Sequence, residues 1–412
     1  MKVFLQTFGC RANQYDSERV RALVERGGGE IVADPSDADA AVFNSCAVTT
    51  EAEVDLRKSV RRAARRNPSL RTVVMGCAAA LDGGALRALP TVQRVVSGDD
   101  VDAVADWLGL AAGVSGARAQ SGTRALLRIQ DGCDEHCTFC ATTLARGGNR
   151  SRAPNELVDE AAALAERHPE IVLTGVHIGT YGRDTGTTLG ALVAVLVNSV
   201  PRVRFRLSSV EATEVDSELR ELFDHPTRLA PHLHAPLQSG SDRVLRRMGR
   251  HWYTAGSYAA AVARTVAGRE PFALGADVIA GFPGETEDEH RETLNLVRDL
   301  PFTYLHVFPF SLRPGTAASH LRDHLSGDVV QRRARELRAA AGDRNRAYRA
   351  RRLGGRADVI VIRGDRREGL TEDFLPVSMG DAPLPRGSRV QARLAGTADQ
   401  LLALPSQGSF PT

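Results

Sequence analysis

Apolar runs and amphipathic stretches alternate along roughly the first 110 residues of the chain. The apolar runs predict strands, and they read KVFLQTFG, AAVFNSC, TVVMGC and VQRVVSG. The stretches SERVRALVERG, LRKSVRRAARR and VDAVADWLG carry the periodicity of helices. Strands that alternate with helices are typical of a parallel sheet with helices on its faces. We therefore expect an N-terminal α/β domain over residues 1–112.

A small, polar and glycine-rich segment at residues 113–123, GVSGARAQSGT, predicts a linker. Six further apolar runs follow, with helical stretches between most of them: ALLRIQ, IVLTG, VRFRLS, HLHAP, ALGADVIAG and YLHVFPF. Six strand–helix units are fewer than the eight of a closed (β/α) barrel. The pattern therefore predicts an open, partial (β/α)6 barrel, within a domain over residues 124–353.

Residues 328–352 predict one long basic helix, and the character of the chain changes after it. The segments ADVIVIRG, FLPVSMG and SRVQARLAG are short and apolar, and glycines and charged turns separate them. This pattern indicates a small antiparallel β-barrel over residues 354–404, within the lower size range of a domain. The expected fold class is thus α/β with three domains.

Composition excludes some classes of protein. The 412 residues are 42% hydrophobic and 25% charged, as in ordinary globular proteins. We find no apolar run long enough for a transmembrane helix, and the N-terminus lacks the features of a signal peptide, so we expect a cytoplasmic protein. Nearly all positive charge is arginine, which suits phosphate recognition but is equally consistent with a genome-wide bias.

Three of the six cysteines lie close together, as Cys133-x3-Cys137-x2-Cys140, directly after the first strand of the predicted barrel. Thiolates are the usual ligands of iron–sulfur clusters, and a [4Fe–4S] cluster normally takes four. Three ligands leave one iron open to bind a cofactor or substrate. The alternative is a structural zinc site with His136 as fourth ligand, although such sites usually consist of paired short spacings.

The other three cysteines, Cys10, Cys46 and Cys77, are far apart in sequence, but each lies at or just after the end of a predicted strand. In a parallel sheet these strand ends meet at one edge, where α/β folds bind ligands. The alternative is three unrelated buried cysteines. Because they share one structural position, a second three-cysteine cluster is the better interpretation.

The close-set cysteines, with Phe139 before the third, resemble the signature of the radical S-adenosylmethionine (SAM) superfamily. Nearly the whole chain resembles the methylthiotransferases of that superfamily, with a small C-terminal RNA-binding TRAM barrel. The segments that resemble the two larger domains of that family are TFGCRANQYDSE, FNSCAVTTEAE, VVMGC, LRIQDGCDEHCTFC, ARGGNRSR, LTGVHIGTYG, RLSSVE, PHLHAPLQSGSDRVLRRMGR, DVIAGFPGETE and HVFPFSLRPGT.

The resemblance implies a tRNA-modifying transferase with two [4Fe–4S] clusters and SAM. A 5′-deoxyadenosyl radical made at Cys133, Cys137 and Cys140 would activate C2 of an adenosine. Sulfur would be delivered at the N-terminal triad, and a second SAM would supply the methyl group. The implied partners are tRNA, an electron donor such as flavodoxin or ferredoxin, and a sulfur source. The chain departs from the family at residues 141–144 and at Ala212, which puts pocket contacts in doubt.

Further residues at or just past barrel strand ends are candidates for holding SAM or the base, with turn and packing roles as the alternative. Together with Phe139, these candidates are Gly175, Ser208, Ser209, Glu211 and Gln238. His232 and His234 are interpreted as core or pocket-wall residues. The arginines at 57–66 and 344–352 suit either solvated helix faces or an RNA backbone. Removal of residues from 354 onward should weaken tRNA binding and leave chemistry unchanged.

The stretch Cys46-Ala47-Val48-Thr49 resembles the enzymes that act on N6-threonylcarbamoyladenosine in tRNA. Isopentenyladenosine and a ribosomal-protein aspartate remain as alternative substrates, and an RNA-binding protein with structural metal sites remains as a non-enzymatic alternative. A threonylcarbamoyl group carries a carboxylate, so its pocket should offer a cation. Arg146, Arg150 and Arg152 are candidates for that cation, or for contacts with tRNA phosphates.

Overall fold

The computed structural model describes residues 1–47, 50–81, 83–113, 116–313, 315–380 and 384–406. The N-terminal region is a parallel sheet with strand order β2-β1-β3-β4-β5. Its strands are β1 (Lys2–Thr7), β2 (Glu30–Val32), β3 (Ala40–Ser45), β4 (Arg71–Gly76) and β5 (Val92–Val95). Its helices are α1 (Arg11–Arg26), α2 (Thr50–Arg66), α3 (Cys77–Leu81), α4 (Gly83–Arg87) and α5 (Val101–Leu108).

Helices cover both faces of this sheet, as the alternation predicted. Helices α1 and α5 pack on one face through Val20, Val24 and Val104, while α2 packs on the other through Leu56 and Val60. All six residues of β3 are buried because the central strand is covered from both sides. The carboxyl ends of β1, β3 and β4 therefore form one edge of the sheet, and a cysteine follows each.

The middle region is an open barrel of six parallel strands, which confirms the predicted partial (β/α) barrel. Two three-stranded sheets, β10-β9-β6 and β11-β12-β13, meet through single bridges such as Ser209 to His234. The strands of this region, including the short antiparallel pair β7 and β8, are β6 (Ala125–Arg128), β7 (Gln130–Asp131), β8 (Arg150–Ser151), β9 (Glu170–Thr174), β10 (Arg204–Leu207), β11 (His232–His234), β12 (Ala273–Ala280) and β13 (Tyr304–Pro309).

Helices enclose the barrel, and the largest hydrophobic core lies between them and the strands. They are α6 (Thr142–Arg146), α7 (Pro154–Ala165), α8 (Leu189–Ser199), α9 (Ser217–Leu222), α10 (Asp242–Arg247), α11 (Ala255–Val266), α12 (Glu287–Asp299) and α13 (Gly327–Arg352). Helix α13, the predicted basic helix, packs against β13 and α12 and leads into the C-terminal barrel. None of the described helices combines the length and apolar character that crossing a bilayer requires.

The C-terminal region is a closed five-stranded barrel with order β14-β15-β16-β18-β17. Its strands are β14 (Arg356–Arg363), β15 (Glu368–Leu370), β16 (Pro376–Ser378), β17 (Arg389–Gly396) and β18 (Leu401–Pro405). The expectation of a purely antiparallel barrel is corrected in one place, because β16 and β18 contact each other in parallel at Ser378 and Leu402. Burial along β17 alternates with period two, since one face points into the small core.

The C-terminal barrel also closes the base of the larger barrel. Arg204 donates to the Asp358 carbonyl at 3.1 Å, and Arg206 donates to the Thr371 carbonyl at 3.2 Å. Both guanidinium groups are fully buried and share Glu170, at 2.7 Å and 2.8 Å. The ring of Phe374 lies 5.3 Å from the guanidinium carbon of Arg206 and 4.6 Å from the ring of His232. Residues from 354 onward thus supply buried contacts to the larger barrel, contrary to a role in tRNA binding alone.

Candidate functional site

The three N-terminal cysteines lie together at the carboxyl edge of the first sheet. Cys10 precedes α1, Cys46 follows β3 and Cys77 begins α3. The sulfurs of Cys10 and Cys77 are 3.9 Å and 3.8 Å from the same atom, Oδ1 of Asn13. The pKa of Cys77 is raised to about 11, mainly by burial and in smaller part by the neighbouring thiols of Cys10 and Cys46, against the opposing effect of Arg146. A cluster ligated here would remove the cost of these buried thiolates.

Glycine 9 shows how tightly this edge is built. Its φ of +95° lies in the left-handed region, and a Cβ placed on it would come 2.2 Å from Sγ of Cys46. Any side chain at Gly9 would therefore both strain the backbone and displace that cysteine. The turn between β1 and α1 depends on glycine for this reason.

The second triad lies in the loop between β7 and α6, where backbone hydrogen bonds fix its shape. The amide of Cys133 donates to Gly147, and that of Thr138 donates to Met248. Each sulfur has a nitrogen neighbour: His177 Nδ1 at 3.5 Å from Cys133, Arg250 at 3.2 Å from Cys137 and the Thr142 amide at 3.4 Å from Cys140. Burial raises the pKa of Cys137 to about 12.

A buried guanidinium donates to one sulfur of each triad. Arg250, beside Cys137, is held by Glu211 and stacks against the ring of Trp252 at 4.7 Å. Glu211 also accepts a hydrogen bond from Trp252, so its carboxylate is committed to orienting Arg250.

Burial lowers the pKa of His177, but hydrogen bonds with Cys133 and Glu214 outweigh it and raise the pKa to about 10.

Arg146 is the corresponding residue of the N-terminal triad, and it joins two domains. Its Nε lies 3.4 Å from the Cys77 sulfur, and its terminal nitrogens donate to Asp131 at 2.9 Å, Asp16 at 2.7 Å and Asn13 at 2.8 Å. The side chain is 1% exposed. A buried cation requires such carboxylate partners because water no longer solvates it.

This geometry corrects the expectation that Arg146 or Arg152 meets a substrate carboxylate or tRNA phosphate. Arg146 is enclosed between the domains, and Arg152 pairs with Glu160 at 2.9 Å. Arg150 is exposed, but one of its nitrogens donates to the Arg146 carbonyl at 2.9 Å. Of the three candidates, Arg150 is thus the one that the structure leaves exposed.

A cavity of about 590 Å³ lies between the two triads. Cys77 from the first triad and Cys140 from the second both line it. Of the other candidate residues, Phe139 and Gln238 also line it, whereas Gly175, Ser208, Ser209 and Glu211 are not among its lining residues in the described part of the chain. Gln238 has a φ of +62°, an unfavourable backbone conformation for a residue with a side chain, and such strain is common at functional sites.

The remaining candidates lie at the carboxyl ends of β9 and β10, as expected. Gly175 leaves room for Gln130, whose carbonyl would be 2.5 Å from a Cβ at this position. Ser208 is buried and Ser209 is exposed beside His234. His232 and His234 are buried wall residues of the barrel interior. Val48 and Thr49, which contributed to the substrate prediction, lie outside the described residues.

Several residues that surround the triads have no clear signal in the sequence pattern. Asn13, Asp131 and Arg250 come to the triads only through the tertiary fold. Asn13 lies one helical turn after Cys10, and that spacing is the single local indication for it.

The arginines of α13 are partly internal as well: Arg349 donates to the Ala398 carbonyl, and Arg352 pairs with Asp373 at 2.7 Å. Arg61 and Arg65 on α2 are exposed.

The spacing of the sulfurs tests which metal group each triad fits. Four ligands around one zinc ion lie about 3.8 Å apart, given zinc–sulfur bonds of about 2.3 Å. Among the described residues, neither triad, with or without His136, brings three ligand atoms within 4.8 Å of one another. This spacing argues against a single zinc ion at either triad, and thiolates are the usual ligands of iron–sulfur clusters.

Comparison with known proteins agrees with this geometry. Residues 127–297 match the Radical SAM superfamily, and residues 2–98 match the family described as Uncharacterized protein family UPF0004. The radical SAM methyltransferase TsrM from Kitasatospora setae has a similar fold, with a TM-score of 0.60 over 77% of this chain and 75% of that chain at 14% identity. The fold and the close-set cysteines thus define a radical SAM protein.

Relatives at higher identity give the family. The Threonylcarbamoyladenosine tRNA methylthiotransferases MtaB of Thermotoga maritima and Bacillus subtilis are 34% and 35% identical. These matches cover 87% and 84% of this chain, and 86% and 81% of those proteins. A tRNA-2-methylthio-N(6)-dimethylallyladenosine synthase of Parafrankia is 34% identical over 88% of this chain and 78% of that protein. The chain belongs to the radical SAM methylthiotransferase family.

Proposed function

We propose that the protein is a tRNA methylthiotransferase that replaces the C2 hydrogen of N6-threonylcarbamoyladenosine, at position 37 of tRNA, with a methylthio group. The observation that carries this function is a cavity bordered by both Cys77 and Cys140, one cysteine from each triad. A reaction that needs radical generation and sulfur delivery at one carbon requires both centres to face one substrate chamber.

Cys133, Cys137 and Cys140 are proposed to hold a [4Fe–4S] cluster with one iron open to SAM. When bound, this group supplies one electron for the cleavage of SAM to a carbon radical. The chain contributes the surroundings. Arg250 offsets the negative charge on Cys137. Phe139 contributes an apolar wall of the cavity, between the cysteine loop and the proposed position of the adenine.

Cys10, Cys46 and Cys77 are proposed to hold a second [4Fe–4S] cluster, where sulfur is transferred. Arg146 and Asn13 fix this edge of the sheet against the radical domain, because both contact Cys77 and each other. Their role is to hold the triad at a constant position relative to the cavity. Gln238, whose unfavourable backbone is held by bonds to β12, is proposed to orient the base or SAM.

The tRNA is proposed to bind across the first and last domains. The exposed Arg61 and Arg65 of α2 offer phosphate contacts, and the C-terminal barrel over residues 354–404 is proposed to act as a TRAM domain. The division into domains at 1–112, 124–353 and 354–404 belongs to the same proposal. An electron donor such as flavodoxin or ferredoxin, and a sulfur source, complete the set of partners.

The choice of threonylcarbamoyladenosine is supported by four relatives at 32–35% identity, each of which is named Threonylcarbamoyladenosine tRNA methylthiotransferase MtaB. The Parafrankia protein, at 34% identity, favours dimethylallyladenosine as the second candidate. Mass spectrometry of tRNA nucleosides from a strain without the gene separates the two. The methylthio-threonylcarbamoyladenosine peak should vanish while the methylthio-isopentenyladenosine peak persists, and the reverse pattern would overturn the assignment.

A further inference from the structure

Strand β13 has an aromatic face, and the last ring on it, Phe308, lines the cavity. Tyr304, His306 and Phe308 alternate with Leu305 and Val307, so they share the face of the strand that points into the barrel. Phe308 lines the cavity and is 37% exposed, which is unusual for so apolar a ring. An exposed ring on the wall of a cavity suits stacking against a nucleobase.

A cationic side chain borders this aromatic side. Arg338 reaches from α13 to the Val307 carbonyl, at 3.0 Å, and lines the same cavity. Within the described residues this is its one side-chain hydrogen bond, and a guanidinium has five N–H donors. Arg313 also lines the cavity, but it donates to the Ala47 carbonyl and so connects to the N-terminal domain. Arg338 is therefore held beside the aromatic side, and most of its N–H donors are not engaged by the described residues.

The one carboxylate among the described lining residues does not compete for Arg338. One oxygen of Asp277 accepts from His234 Nε2 at 3.1 Å and from His306 Nδ1 at 3.2 Å. Burial alone would raise the pKa of Asp277, but these two hydrogen bonds outweigh it and hold the pKa below its ordinary value. The negative charge of Asp277 is thus already paired within the barrel.

We propose that Arg338 binds the carboxylate of the threonylcarbamoyl group while Phe308 supports the adenine, and that this contact selects the modified base. The inference rests on the proposed function. A carboxylate matches the planar fork of a guanidinium through two parallel hydrogen bonds. A dimethylallyl group is neutral and offers the guanidinium no acceptor, so it gains nothing from this contact. Arg338 thereby takes the role first expected of Arg146, Arg150 or Arg152.

The test uses two anticodon stem-loops that differ in one group, the threonylcarbamoyl carboxylate or its methyl ester. Reconstituted full-length wild-type protein, Arg338→Gln and the control Arg335→Gln are compared for kcat/KM of methylthio product and for Kd of each RNA. Arg335 is exposed on the same helix and does not line the cavity. Arg338→Gln should lower kcat/KM for the free acid by about 10- to 100-fold and change the ester little.

Several outcomes would count against Arg338. An equal loss on acid and ester would mean that Arg338 acts on structure or on phosphates, and no loss on the acid would remove it from recognition. Arg338→Lys should recover part of the loss, because it keeps the charge but not the fork. Iron content equal to wild type shows that the variants are folded. If wild-type protein modifies neither RNA, the proposed function fails instead of this contact.

Discussion

The two cysteine triads border one cavity, yet they are built in opposite ways. Cys133, Cys137 and Cys140 lie within eight residues of one another in a single loop, and backbone hydrogen bonds hold that loop against the residues after α6 and α10. Cys10, Cys46 and Cys77 come from three strand ends and meet only because β1, β3 and β4 are parallel neighbours. The first triad depends on a local loop, and the second depends on the whole sheet.

Their surroundings are nevertheless similar. Each triad has a buried arginine on one sulfur, Arg250 on Cys137 and Arg146 on Cys77. Arg250 is anchored within the radical domain by Glu211, whereas Arg146 is anchored by Asp16 of one domain and Asp131 of the other. The triad assembled from three strand ends is thus fixed by a buried contact between two domains, whereas the loop triad is fixed within one domain. We call the contact of Arg146 with Asp16 and Asp131 the interdomain lock.

The largest expected effect comes from removing the loop triad. Changing Cys133, Cys137 and Cys140 together to Ala should remove about half of the iron and abolish cleavage of SAM, because no ligands remain for the radical-generating cluster. Iron analysis and chromatography of 5′-deoxyadenosine after anaerobic reconstitution measure both. Cleavage retained in this variant would mean that the two triads are not divided in function.

Removing the other triad should separate cleavage from product formation. With Cys10, Cys46 and Cys77 changed to Ala, SAM should still be cleaved, but no methylthio nucleoside should form, because sulfur transfer is assigned to this edge. The same two products are quantified with tRNA present. A folded variant that has neither activity would contradict the division between the triads.

Arg146→Met tests the interdomain lock. It leaves Asp16 and Asp131 buried with fewer partners, so the free energy of unfolding should fall by about 3 kcal/mol. Denaturant titration of the apoprotein measures this, independently of any cluster. Arg150→Gln is the control, exposed four residues later at the start of β8, and should change stability by less than about 0.5 kcal/mol. Equal effects of the two substitutions would show that Arg146 is not a lock.

The smallest expected effect is on tRNA binding by the N-terminal domain, which carries Cys10, Cys46 and Cys77. The double change Arg61→Gln and Arg65→Gln should weaken tRNA binding, because fewer phosphates are neutralised. The dependence of log Kd on log salt should flatten by about one unit for each phosphate that the variant no longer binds. Cleavage of SAM without tRNA should stay as in wild type. A salt dependence identical to wild type would assign the exposed face of α2 to solvent alone.

Sequence periodicity predicted much of the fold because helices and strands bury regular faces. The alternation along residues 1–112 and the six barrel strands were visible in this way. The loop triad was visible from its cysteine spacing, and the other triad from its position at the ends of predicted strands. Arg146 was misassigned because its position in a short segment after the cysteines says nothing about Asp16, which lies 130 residues earlier. The parallel contact of β16 with β18 and the insertion of Phe374 depend on how whole domains meet, and no local pattern encodes them.

The contact between the C-terminal barrel and the larger barrel, which includes Phe374, has a consequence for chains that are still being synthesised. A ribosome makes Glu170, Arg204 and Arg206 well before it makes the residues around Asp358 and Phe374. Until those later residues emerge, Arg204 and Arg206 lack the carbonyl groups that they contact in the finished barrel. Chains that stop short of residue 374 keep the ion pairs with Glu170 but are expected to leave guanidinium donors without acceptors, and so to become targets for proteases.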